Sequence, residues 1–142
     1  MHIHRFTRIG SRSAAAVAAA GLLFLAAFQV LLALGLPLGR AAYGGGQEVL
    51  PTDLRVASVV AACVWSGAAL LVLRRAGYGG AARPSRLLRL LTWLLVGLLC
   101  LGAIVNFASS SPWERFGWGP FVVVVGLLCF VVARDAGRSL ER

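Results

Sequence analysis

Four long apolar segments constrain this sequence more strongly than any other feature. The first, Ala14 to Leu36, contains no charged side chain, and a helix needs about 20 apolar residues to cross the hydrocarbon core of a bilayer. The chain is 59% hydrophobic and 13% charged, whereas soluble domains carry about 25% charged residues. We therefore predict a single membrane domain over residues 1–142, an all-α transmembrane bundle of four helices arranged as two helical hairpins. The predicted spans are approximately 14–36, 54–73, 87–108 and 120–133.

The first apolar segment fits a retained membrane span better than a cleaved signal peptide. The apolar core of a signal peptide is about 7–15 residues long and precedes small residues in an A-x-A-like pattern. The uncharged run here is longer, and no good cleavage pattern follows it. We therefore expect the segment to remain in the membrane as the first span.

Arginines are concentrated on one side of the predicted hairpins. The N-terminal segment, the middle loop and the C-terminal segment hold eleven of the fourteen arginines and the whole net charge of +9. The two other loops balance three arginines against three acids. By the positive-inside rule, we predict a multi-pass membrane protein with both termini cytoplasmic. All fourteen basic residues are arginine, which is typical of a GC-rich bacterial genome, so we expect the membrane to be a bacterial plasma membrane. The predicted cytoplasmic arginines are Arg5, Arg8, Arg12, Arg74, Arg75, Arg83, Arg86, Arg89, Arg134, Arg138 and Arg142.

The charge pattern also indicates the expected partners. The arginines lie in clusters between apolar segments, without a nucleic-acid-binding motif or interleaved aromatic residues, so we do not expect nucleic acid binding. The main partner is the lipid bilayer. The cytoplasmic arginines would attract anionic lipid headgroups, each with about 1 kcal/mol; the simpler alternative is that they only set the topology.

Several local signals predict where helices begin in the loops. Thr52 or Asp53 is a candidate N-cap for the second span, and Ser85 for the third. Ser111 followed by Glu114 has the spacing of a capping box, with Pro112 at the favoured first helical position. These residues predict a short interfacial helix, followed by a kink or restart at Pro120. Aromatic anchors at headgroup level are expected at Trp113, Phe116 and Trp118.

The residues that usually carry chemistry are sparse. No charged side chain falls in the interior of a predicted span, which argues against a proton-coupled pathway. The cysteines, Cys63, Cys100 and Cys129, lie in different spans and form no C-x-x-C pair. The glycine run Gly44 to Gly46 lacks the Gly-Lys-Ser/Thr ending of a phosphate loop. We therefore assign no catalytic residue, no metal site and no cofactor.

One polar cluster remains, on the two loops predicted to be outside. The topology brings these loops to the same membrane face, where their acids and arginines are expected to pair at the low-dielectric boundary. A structural clasp that ties the loops together is the first interpretation, with a ligand or partner site second and catalysis third. The cluster consists of Arg40, Tyr43, Glu48, Asp53, Arg55, Asn106, Ser109, Ser111, Glu114 and Arg115.

Two groups of short motifs lie in and beside these loops. The first loop region contributes Gly35-Leu36-Pro37-Leu38-Gly39, Tyr43-Gly44-Gly45, Leu50-Pro51 and Leu54-Arg55-Val56-Ala57-Ser58. The second contributes Asn106 to Ser109, Ser111, Glu114-Arg115, Pro120 and Leu128-Cys129. Together these motifs resemble a family of small bacterial integral membrane proteins with four spans, found in actinobacteria and bacilli. The resemblance covers most of the chain and implies a four-helix membrane protein. It supplies no reaction.

Three classes of function remain open. The first is a non-enzymatic membrane protein whose outer loops bind a small molecule or partner, or stabilise an assembly, including a homo-oligomer. The second is a subunit of an oligomeric transporter or channel, which requires Gln29, Ser58, Ser66 and Thr92 to converge on a polar lumen. Gln29 and Asn106 are otherwise expected to form hydrogen bonds between helices. The third is a membrane enzyme with two converging carboxylates from Glu48, Asp53 and Glu114.

Overall fold

The computed structural model describes residues 3–80 and 85–135, and this part of the chain contains helices and loops but no strand. Its main elements are α1 (Ile3–Ala33), α2 (Thr52–Arg75), α3 (Arg86–Ala108), a π-helical turn (Glu114–Trp118) and α4 (Gly119–Asp135). Arg83, Arg138 and Arg142, three of the predicted cytoplasmic arginines, lie outside the described residues, as do the side chains of Arg5 and Arg8.

Four segments of these helices are long and apolar enough to cross a membrane. They are Gly10–Ala33, Thr52–Arg75, Arg86–Ala108 and Glu114–Arg134, with 21 to 24 residues each. At 1.5 Å per residue such segments measure about 31–36 Å, enough for the hydrocarbon core. The predicted fold, an all-α bundle of four helices long and apolar enough to span a membrane, is confirmed.

The ends of the first hairpin differ from the predicted bounds. α1 ends at Ala33 because Gly35 adopts φ +85°, and the amides of Gly35 and Leu36 bond back to the carbonyls of Leu32 and Leu31. This is the Schellman arrangement that closes many helices at glycine. α2 begins at Thr52, where neither Thr52 nor Asp53 acts as the predicted cap, because Pro51 occupies the N-cap position without a side-chain hydrogen bond.

The second hairpin follows its sequence signals more closely. The hydroxyl oxygen of Ser85 accepts a hydrogen bond from the amide of Leu88 at 3.4 Å, so the predicted N-cap of α3 is confirmed. Helical structure resumes at Pro112 and continues through the π-helical turn into α4. The segment before Pro120 therefore extends the fourth helix. The wide turn accommodates Pro120, which has no N–H to donate and would crowd a regular helix.

Small residues bring the helices together. Ala15, Ala18 and Ala19 of α1 are buried in the same core as Ala68 and Ala69 of α2, and small side chains allow such close packing in membranes. A Cβ added at Gly21 of α1 would lie 2.8 Å from Val125 Cγ2 of α4. α1 therefore lies between α2 and α4, while α3 packs mainly on α4.

The outward faces of all four helices are apolar. Large exposed side chains include Phe24, Val60, Leu94, Ile104 and Leu127, one or more from each spanning helix. A soluble protein rarely exposes contiguous apolar surface of this extent, but hydrocarbon chains cover it in a bilayer. The bundle has two polar ends: the loop end (residues 34–55 and 109–118) and the arginine end (residues 10–12, 74–80, 85–89 and 134).

Candidate functional site

The long loop of the first hairpin is folded against the bundle by its own backbone and a small apolar cluster. It forms two 3₁₀ turns, Gly39–Ala41 and Tyr43–Gly45, and the amide of Gly39 donates to the carbonyl of Glu48 at 2.8 Å. Leu32, Ala42 and Leu50 are buried together beneath it. A loop held in this way presents its backbone groups in fixed positions.

Three hydrogen bonds join this loop to the start of the fourth helix. The hydroxyl of Ser111 donates to the carbonyl of Arg40 at 2.7 Å, and the indole Nε1–H of Trp118 donates to the carbonyl of Ala41 at 2.9 Å. The amide of Gly44 donates to Oε2 of Glu114 at 3.0 Å. We call this arrangement, formed by residues 40–44 with Ser109, Ser111, Glu114 and Trp118, the clasp.

Glu114 and the two serines are arranged differently from the predicted capping box. Ser109, two residues earlier, lies between the two: its hydroxyl donates to Glu114 Oε2 and accepts from the amide of Ser111 at 3.0 Å. Ser111 is buried, and its hydroxyl donates to the backbone carbonyl of Arg40 in the other loop instead of capping the helix. The carboxylate remains near the start of the fourth helix, where the helix dipole favours negative charge.

The expected pairing of acids with arginines at the loop end is wrong. Within the described residues, no carboxylate lies within 4.0 Å of an arginine nitrogen. Arg55 Nε donates to the carbonyl of Ala33 at 2.8 Å, and Arg115 Nη2 donates to the carbonyl of Ser109 at 2.7 Å. Both carbonyls lie at helix C-termini, where backbone oxygens lack helical partners and the dipole attracts cations.

The remaining members of the predicted cluster divide into three groups. Tyr43 belongs with the site, because its hydroxyl shares a hydrogen bond of 3.1 Å with the fully buried Ser58. Asn106 bonds the carbonyl of Gly102 in its own helix at 2.8 Å, so the predicted bond between helices is not formed there. Arg40, Glu48 and Asp53 are exposed, and their side chains have no partner among the described residues.

Two residues of the site were not in the predicted cluster. Trp118 was expected to anchor at the headgroups, but it is half-buried, with its ring 4.6 Å from the centroid of Phe28. Ser58 was considered only for a channel lumen. The indole N–H of a tryptophan requires a partner when it is buried, and this signal could have associated Trp118 with the loop carbonyls.

The residues proposed for a channel lumen lie apart. Ser58 is bound to Tyr43 near the loop end, whereas Thr92 is buried near the arginine end and donates to Leu88 O of its own helix at 2.7 Å. Ser66 is exposed in the middle of α2. Gln29 is partly buried, and its Oε1 has no hydrogen-bond partner in the described chain, so the expected bond between helices is missing here too.

Groups suited to metal or redox chemistry are not assembled in the described part of the chain. No three side chains of histidine, cysteine, aspartate or glutamate are close enough there to hold a metal ion. The cysteines are free thiols: Cys129 is buried, and Cys63 and Cys100 face outward from the bundle. The polar side chains that are brought together therefore serve the clasp.

Comparison with known proteins yields no relative. No family model matches the sequence, and neither curated proteins nor solved structures give a significant match. The resemblance to small bacterial membrane proteins with four spans stays a prediction. The contacts of the clasp and the exposed residues around it therefore carry the functional argument.

Proposed function

We propose that this chain is a non-enzymatic multi-pass protein of a bacterial plasma membrane, whose loop end binds a partner protein outside the cytoplasm. One observation carries the proposal: the groups of the clasp bond to one another, while the side chains of Arg40, Glu48 and Asp53 are exposed and have no partner among the described residues. A fixed loop with free charges of both signs suits the polar surface of another protein, because little conformational entropy is lost on binding.

The orientation in this proposal rests on charge. At the arginine end the structure describes the side chains of Arg12, Arg74, Arg75, Arg86, Arg89 and Arg134. The carboxylates whose side chains it describes, Glu48, Asp53 and Glu114, all lie at the loop end. The positive-inside rule then assigns the arginine end to the cytoplasm. The clasp and its exposed charges accordingly face the exterior.

An enzymatic role is less well supported by the geometry. General acid–base catalysis needs two groups positioned on one substrate. Glu114 accepts hydrogen bonds from Gly44 and Ser109, and the exposed side chains of Glu48 and Asp53 have no hydrogen-bond partner among the described residues that would position them. A channel is likewise not favoured, because Ser58, Ser66 and Thr92 lie at different depths of the bundle and do not converge on one lumen.

Site-specific photocrosslinking in native membranes tests the binding role. A photoreactive amino acid at Glu48 or Asp53 is expected to give one discrete protein adduct. The same amino acid at Val124, an exposed position on the lipid-facing surface of α4, serves as the matched control and should give lipid adducts only. If both loop positions behave like Val124, the proposed binding role is wrong.

A further inference from the structure

The last residue of α2, Arg75, is placed unusually for an arginine at the end of a membrane helix. Its Nε and Nη2 atoms are buried, and neither has a hydrogen-bond partner in the part of the chain that the structure describes. Buried guanidinium donors without acceptors are costly, because they lose water without a replacement. An arginine that only marks topology would extend its head into water.

Among the described side chains, the surroundings of Arg75 supply positive charge and no compensating acid. Arg89 of α3 is close enough to repel it electrostatically, and the described side chains at this end include no carboxylate. The dipole of α2 favours a cation in its last turn, but it supplies no acceptor to the two buried nitrogens. The arrangement is therefore incomplete within the described chain.

Two neighbouring arginines have other surroundings: Arg12 contacts Tyr78, and Arg74 is exposed. The guanidinium of Arg12 lies 4.6 Å above the ring of Tyr78, and the Tyr78 hydroxyl donates to the Arg12 carbonyl. Tyr78 itself belongs to a second Schellman turn. The amide of Tyr78 donates to the carbonyl of Leu73, and the amide of Gly77 donates to the carbonyl of Arg74. Arg74 is exposed, with its Nε beside Gly79. Arg75 and Arg89 are thus left without a side-chain hydrogen-bond partner in the described chain, beside this hydrogen-bonded turn.

We propose that Arg75 and Arg89 form a binding site for a phosphate-bearing anion between the ends of α2 and α3. Guanidinium groups match phosphate oxygens with paired, charge-assisted hydrogen bonds. One phosphate would offset the repulsion between the two arginines and, once the Arg75 side chain turns toward it, accept hydrogen bonds from the nitrogens that are otherwise unpaired. The phosphate of an anionic lipid headgroup and free phosphate share this chemistry. The site is independent of the partner-binding role proposed for the loop end.

The test compares thermal unfolding of the full chain in neutral detergent with and without added phosphate compounds. The probes are phosphatidylglycerol, phosphatidylcholine and inorganic phosphate. The variants are Arg75→Gln and Arg89→Gln, with Arg74→Gln as the control, because it removes one exposed charge from the same turn of α2.

Two results are expected. Without any probe, Arg75→Gln unfolds at a higher temperature than the wild-type chain, because an unpaired buried charge is removed. With phosphatidylglycerol, the wild-type chain and Arg74→Gln gain stability, whereas Arg75→Gln and Arg89→Gln each bind the lipid about fivefold more weakly, the factor for one arginine near a membrane surface. A comparable gain with inorganic phosphate would support the same site with free phosphate as its source.

Two other results would overturn the proposal. If Arg75→Gln unfolds at a lower temperature without probe, an acceptor within the chain already holds the guanidinium. If Arg75→Gln and Arg89→Gln respond to every probe as Arg74→Gln does, the arginines contribute only general positive charge.

Discussion

Replacing Glu114 with alanine should loosen the clasp more than any other single change of an acidic residue. Its Oε2 atom accepts from the amide of Gly44 in one loop and the hydroxyl of Ser109 in the other. A hydrogen bond to a charged group contributes about 1.5–3 kcal/mol. Because Gly44 is exposed, water replaces part of its bond in the variant. We therefore expect a total loss of about 2 kcal/mol in unfolding free energy.

The assay is reversible unfolding in detergent micelles, followed by circular dichroism. Glu48→Ala is the matched control, since Glu48 is an exposed carboxylate of the same loop end without a side-chain partner. Such surface changes usually alter stability by less than about 0.5 kcal/mol. Equal stabilities for Glu114→Ala, Glu48→Ala and the wild-type chain would refute the clasp as a stabilising element.

Two further substitutions examine the clasp from its other contacts. Gly45→Ala should lower the free energy of unfolding by about 2 kcal/mol, because Gly45 has φ +73° and a Cβ there would lie 2.8 Å from Arg40 O. Its control is Gly46→Ala, which should be nearly neutral in the same unfolding assay because a Cβ at Gly46 would meet open space. Trp118→Phe should lower the free energy of unfolding by about 1 kcal/mol, because the indole hydrogen bond to Ala41 O is lost. Its control is Trp93→Phe, since the Trp93 ring packs on Phe130. An equal loss in both variants would contradict the role of the indole hydrogen bond.

The predictable part of this fold follows from hydropathy and local capping. Apolar segments of sufficient length specify the four helices, because lipid leaves the backbone no other way to satisfy its hydrogen bonds. Ser85 caps α3 and Pro112 begins the fourth helix as their positions indicate. These signals depend on neighbours within a few residues, which a sequence displays directly.

The details of the clasp could not be predicted, because they depend on which backbone oxygens the fold leaves free. Arg55 and Arg115 bind carbonyls at the ends of helices rather than acids, and those ends are set by Gly35 and by the turn after α3. The hydroxyl of Ser111 does not cap the fourth helix as predicted, because it donates to the carbonyl of Arg40, seventy-one residues away. Such partners exist only once the two hairpins have packed together.

The central claim is that the chain crosses the membrane four times, with the clasp outside and both termini in the cytoplasm. It is tested most directly by labelling single cysteines in intact cells with a membrane-impermeant maleimide, after the three native cysteines have been replaced by alanine. One cysteine replaces Gly46, which is exposed in the loop between α1 and α2, two residues after the clasp segment 40–44; the other is appended after Arg142. We predict that Gly46→Cys is labelled in intact cells and the appended cysteine only after permeabilisation. The reverse pattern would contradict the orientation, and labelling of both in intact cells would contradict the crossings.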